Sequence, residues 1–101
     1  MSAVLRIRIS ARAAAQIHKA AAWWQLNRPA APGAVRIDVD ETLRLLSMQP
    51  GIGAPFPAKR STDVRRVLVS RIRNFIYYRV TSGNVDVLAF WHASRGSGPS
   101  L

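Results

Sequence analysis

A chain of 101 residues is long enough for one domain with a single core. Its formal charge of +10, from 15 basic and 5 acidic residues, favours a polyanion or an acidic protein as partner and opposes self-association. The absence of cysteine excludes disulfides and thiolate chemistry. All the basic residues except Lys19 and Lys59 are arginines, whose planar fork suits phosphate and carboxylate. A GC-rich coding sequence would enrich arginine and alanine together, so the bias alone does not define a contact surface. The longest apolar runs, Ala20 to Trp24 and the equally long Val87 to Trp91, are too short to cross a bilayer. Arg6, Arg8 and Arg12 stand where a signal peptide needs apolar residues, so the expected location is cytoplasmic.

In chain order, "VLRIRIS" alternates Leu5, Ile7 and Ile9 with Arg6 and Arg8, the pattern of a half-buried strand. Ser10 occupies a helix N-cap position, and "ARAAAQIHKAAAWWQLN" follows with an apolar stripe of Ala13, Ile17, Ala20 or Ala21, and Trp24. Asn27 and Pro29 close that helix. A second runs roughly from Ala31 to Met48, with stripe residues Val35, Val39, Thr42 or Leu43, and Leu46. "GIGAPFPAKRST", Gly51 to Thr62, has the composition of an irregular crossing loop. Three strands follow, "VRRVLVS", "FIYYRVT" and "NVDVLAFWH", with Ser82-Gly83 as a tight turn between the last two. Residues 96–101 carry too little apolar surface to order themselves. The expected architecture is α+β, in the order β-α-α-β-β-β, with a helical hairpin packed on an antiparallel sheet.

A two-residue turn at Ser82-Gly83 pairs Thr81 with Asn84 and Arg79 with Asp86, a favourable cross-strand pair. Strict alternation from there sorts Ile76, Tyr78, Val80, Val85, Val87, Ala89 and Trp91 onto a core face. Phe75, Tyr77, Arg79, Asp86, Leu88, Phe90 and His92 fall on an open face. If Ile72 and Arg73 form the preceding turn, Val67 and Val69 join the core while Arg66, Leu68 and Ser70 join the open face. An uncovered patch of this size calls for a partner; the alternative cover is the Gly51–Thr62 loop with Phe56.

The succession "AAAWWQLNRPAAPGAVRIDVDETLRLLSMQPGIG", "VRRVLV", "IYYRV" and "VDVLAFWHASR" resembles the RelE/ParE superfamily of type II toxin–antitoxin toxins, over about Ile9 to Arg95. The resemblance implies a cytoplasmic toxin and a cognate antitoxin whose acidic C-terminal segment covers the toxin. ParE-like members poison DNA gyrase; RelE-like members are ribosome-dependent mRNA endonucleases. The helical segment "NRPAAPGAVRIDVDETLRLLSMQPGIG" and the ending "WHASRG" are similar to the ParE branch. Nuclease members carry a lysine cluster or glutamate before the middle strands, a tyrosine near the C-terminus, and an arginine where this chain has Phe75. Here Lys59 stands alone, Asp63 is the nearby acid, and no tyrosine follows Tyr78.

The resemblance therefore implies gyrase inhibition without catalysis, with Arg71, Arg73, His92 and Arg95 as target-binding residues. Were the chain a nuclease, His92, Arg73 and Arg95 would be its catalytic set, because RNA cleavage needs a proton acceptor and cations for the phosphorane. A third reading is a nucleic-acid binder driven by charge alone. Antitoxin contacts are expected at Arg66, Leu68, Phe75, Tyr77, Arg79, Leu88 and Phe90. Trp23, one residue off its helix's apolar stripe, is exposed or lies under the loop. Asp38, Asp40 and Glu41 lack histidine or cysteine neighbours and read as a solvated helix face, so neither metal nor cofactor is expected.

Overall fold

The computed structural model describes residues 4–101. Strand β1 (Arg6–Ile9) leads into helix α1 (Ala11–Asn27) and helix α2 (Ala34–Met48). Strands β2 (Ala54–Pro55), β3 (Arg65–Val69), β4 (Asn74–Thr81) and β5 (Asn84–His92) complete one sheet in the order β1-β5-β4-β3-β2. This is the expected α+β arrangement, with two refinements. Two residues of the crossing loop, Ala54 and Pro55, add an edge strand against β3. The sheet is also mixed: β2 to β5 are antiparallel, but β1 runs parallel to β5, with Ile7 opposite Val85.

Helix α1 starts where local chemistry dictates. The Ser10 side chain accepts from the Ala13 N–H at 3.0 Å, satisfying one of the free donors of the first turn. Ala13 and Ile17 from α1, and Val35, Val39, Leu43 and Leu46 from α2, bury against Ile76, Tyr78, Val85 and Val87 of the sheet. Both helices thus cover one face. The Tyr78 hydroxyl donates to the Pro50 carbonyl (2.7 Å) and accepts from the Gly53 N–H (2.9 Å), tying the end of the α2 turn to the sheet. A Cβ at Gly53 would lie 2.5 Å from that hydroxyl, so the approach requires glycine. Burial pushes the Tyr78 phenol above its ordinary pKa, with the Gly53 N–H and Arg65 opposing it.

The hairpin turn falls at Ser82-Gly83, both at positive φ (32° and 81°), as two-residue loops prefer. Thr81 pairs with Asn84 and Arg79 with Asp86, as expected. The alternation then breaks. Tyr78 faces Val87 and Tyr77 faces Ala89, leaving Leu88 as the extra residue of a bulge. Beyond it every β5 side chain changes side. Phe90, expected on the open face, is 3% exposed in the helix-side core, while Ala89 and Trp91, expected in that core, join Tyr77 on the other face.

The cause lies on β5's other edge. β1 pairs only as far as Val87, and α1 takes over from there. The Ser10 N–H donates to the Val87 carbonyl (3.0 Å) and the Ser10 hydroxyl to the Leu88 carbonyl (3.2 Å). The Phe90 N–H donates to the Gln16 side-chain oxygen (2.8 Å). Backbone groups that no strand reaches are satisfied by helix side chains instead.

The turn before β4 also differs. It spans Ser70 to Arg73, with Val69 opposite Asn74, so the register shifts by two residues from a turn at Ile72-Arg73. An even shift preserves sidedness: Val67 and Val69 remain with Ile76, and Arg66 and Leu68 with Tyr77 and Phe75.

The outer face is not open. Phe56 stands edge-on to Tyr77, centroids 4.9 Å apart, and Arg66 stacks over Phe75 at 4.1 Å. Residues 97–101 return across this face. The Ser97 carbonyl accepts from Trp91 Nε1 (2.8 Å), Ser100 from Arg12 (2.7 Å) and Leu101 from the Arg60 N–H (2.7 Å). Main-chain acceptors and Leu101 packing supply what the tail's composition lacks. Tyr77 is left 1% exposed.

Candidate functional site

Three elements converge on a cleft of about 550 Å³: α1 from Gln16 onward, the Ser70–Arg73 turn and the end of β5. Arg71, Arg73, His92 and Arg95, singled out in the sequence from separate stretches, all line it. The turn carrying the first two is held firmly. Arg71 grips the Asp38 carboxylate of α2 with two bonds, 2.8 and 2.6 Å, and that contact holds the guanidinium's pKa above its ordinary value. Ile72 points into the core, the Asn74 side chain caps the Ile72 carbonyl, and the Ala93 N–H donates to the Arg73 carbonyl at 2.8 Å. Arg73 itself sits in the left-handed region at φ 58°.

His92 Nδ1 accepts from the Ser94 N–H at 3.1 Å and lies 2.7 Å from the Ser94 hydroxyl. Those contacts assign the ring proton to Nε2. The Arg95 guanidinium stacks on the Trp91 indole at 3.7 Å. Among the described residues neither Arg73 nor Arg95 forms an ion pair; the paired carboxylates are Asp38, with Arg71, and Asp86, with Arg8.

The opposite wall holds residues that sequence reasoning missed as site residues. Gln16, Lys19, Ala20 and Trp23 line the cleft at positions i, i+3, i+4 and i+7 of α1, a second helical face beside the apolar stripe. That spacing was the available signal. Arg28 sits over both Trp23 (5.3 Å) and Trp24 (5.8 Å), whose rings meet at 72°. Among the described residues, no carboxylate and no tyrosine lines the cleft.

The residues expected at the antitoxin surface are dispersed. Leu68 is exposed; Arg66, Phe75, Arg79 and Leu88 are partly covered; Tyr77 is sealed beneath Phe56 and the tail; Phe90 has moved to the floor of the cleft. Arg79 lies across from Asp86, but Arg8 takes that carboxylate at 2.7 Å and Thr81 also donates to it. Arg79 Nε is buried without a partner. No group of three or more metal-ligating side chains occurs among the described residues, and none of their helices is long and apolar enough to cross a membrane.

The fold is thus a mixed sheet covered on one face by a helical hairpin, with an arginine-lined cleft at one end. The chain belongs to the ParE toxin family: residues 7–96 match the model described as the ParE toxin of the type II toxin–antitoxin system, parDE. Among solved structures it is similar to a chain of the chromosomal ParDE TA system from P. aeruginosa, with a TM-score of 0.73 and 20% identity. That similarity covers 92% of this chain and 100% of the other. No curated protein sequence matches.

Proposed function

We propose that this ParE-family toxin inhibits DNA gyrase by binding rather than by catalysis, and that a cognate antitoxin neutralises it. The observation that carries the reading is the family match over residues 7–96, joined by the convergence of Arg71, Arg73, His92 and Arg95 on one cleft. Arg73, Arg95 and His92 are the contacts to the target, and Arg71 holds the Arg73 turn against α2. RNA cleavage is disfavoured because the cleft offers His92 no carboxylate, no tyrosine and one lysine, Lys19, on the far wall.

The antitoxin contacts the accessible part of the outer face, around Arg66, Leu68, Phe75, Arg79 and Leu88. The charge of +10 supports an acidic segment there. Tyr77 joins that surface only if the tail moves.

Purified protein should inhibit supercoiling by gyrase, and Arg73→Ala with Arg95→Ala should weaken inhibition at least about 10-fold while the circular dichroism spectrum is unchanged. Supercoiling unaffected at large molar excess would refute the reading. Cleaved message in a translating extract would replace it with the nuclease alternative.

A further inference from the structure

The cleft's chemistry goes beyond what a protein target alone would need. Among the described residues its cations Lys19, Arg28, Arg73 and Arg95 have no carboxylate partner, and they stand on both walls. Two lie over aromatic rings: Arg28 over both Trp23 and Trp24, and Arg95 over Trp91. A guanidinium stacked by its face keeps its N–H edge free for oxygen ligands. Beside them Trp23 leaves 49% of its surface exposed at the rim.

We infer that the cleft binds a strand of nucleic acid, with phosphates at Lys19, Arg28, Arg73 and Arg95 and a base stacked on Trp23. Uncommitted cations along a groove, interleaved with aromatic faces, are what single-strand binding uses, because every base has a face to stack. An acidic peptide would satisfy the cations but needs aliphatic sockets for its anchors. Among the described residues the cleft's only aliphatic side chains are Ala20 and Ile72. The exposed aliphatics lie elsewhere: Ile37, Leu45 and Met48 on α2, Ile52 after it and Leu68 on β3. The inference deepens the gyrase reading and takes its biological meaning from it, since gyrase works on DNA and the toxin would meet enzyme and strand together.

Binding is measured without gyrase, by fluorescence anisotropy of a labelled single-stranded thymidine 10-mer and by quenching of tryptophan emission. With three or four phosphate contacts, log affinity should fall with log salt at a slope of about −2 to −3. Arg73→Ala and Arg95→Ala should each reduce that slope by about 0.7. Trp23→Ala should weaken binding about 5-fold or more. Arg44→Ala and Arg60→Ala remove the same charge from exposed positions outside the cleft and should leave affinity within about 2-fold.

Equal losses from all four arginine variants, with an unchanged Trp23→Ala, would mean diffuse attraction and overturn the inference. So would binding of a glutamate-rich peptide, but not of the oligonucleotide, with sensitivity to Arg73 and Arg95. Oligonucleotide binding with gyrase unaffected would sustain this site and remove the gyrase reading. Gyrase inhibition by a wild-type protein that does not bind the oligonucleotide would do the reverse.

Discussion

Arg73 is the position where stability and function are set against each other. Its φ of 58° is in the left-handed region, which costs a residue with a Cβ about 1–2 kcal/mol. The conformation is fixed from both sides: its N–H donates to the Val69 carbonyl at 2.9 Å, and its carbonyl accepts from Ala93. Glycine would remove the Cβ strain but loses about 0.5–1 kcal/mol through its freer unfolded chain. Arg73→Gly should therefore be more stable than Arg73→Ala, which keeps the strain, by about 0.5–1 kcal/mol. For a domain of this size that is about 2–8 °C in Tm. Thermal unfolding followed by circular dichroism reads the difference, and supercoiling inhibition is measured on the same two proteins. Both should have lost the same activity despite differing in stability. A glycine variant less stable than the alanine variant would refute the strain argument. Retained inhibition by either would show that the arginine is kept for some other reason.

Gly53→Ala places a Cβ 2.5 Å from a fully buried tyrosine hydroxyl and should cost about 2 kcal/mol by overpacking. Tyr78→Phe leaves the Gly53 N–H and the Pro50 carbonyl without their partner and should cost about 1–3 kcal/mol, yet the double variant should cost less than the sum, because the closest clash is gone; urea titrations of the four proteins close the cycle. Ser10→Ala should lower stability by about 1 kcal/mol, since it removes both the α1 cap and the bond to Leu88, and thermal unfolding measures it. Asp86 is held below its ordinary pKa of 3.8, first by the bond from Arg8 and then by that from Thr81. Its contribution is present above that value and lost as pH falls through the lowered one, so an acid titration should show a shallower loss for Asp86→Asn, and added salt should narrow the difference.

The legible part of the fold was local. Ser10 as a cap, the two helical stripes and the Ser82-Gly83 turn each depend on residues within a few positions, and each stands as the pattern implied. Arg71, Arg73, His92 and Arg95 were legible as a group through resemblance, although nothing in their spacing showed that they share a cleft. What the sequence concealed was non-local. The cover of Tyr77 depends on Phe56, 21 positions away, and on a tail anchored through carbonyls to Trp91, Arg12 and Arg60, contacts that composition does not encode. The α1 wall was hidden for another reason: Lys19 and Trp23 sit beside the apolar stripe, where a solvated face and a binding face look alike.

The bulge at Leu88 connects these points, because it decides what the cleft contains. Under strict alternation from the Ser82-Gly83 turn, Phe90 and His92 would face the outer side with Tyr77, and Trp91 would lie beneath the helices. The extra residue reverses that. Phe90 becomes the floor of the cleft, His92 comes onto its rim opposite α1, and Trp91 is released to the outer side, where it binds the tail and carries Arg95 on its ring. The bulge sits where β1 gives out and α1 takes over, with Ser10 bonded to the Leu88 carbonyl and Gln16 to the Phe90 N–H. The same helix therefore satisfies the interrupted edge of β5 through its first turns and builds the facing wall of the cleft through its last. A four-residue β1 is thus part of the site's design: a longer one would pair with β5 beyond Val87 and displace α1 from the position that brings Lys19 and Trp23 opposite His92.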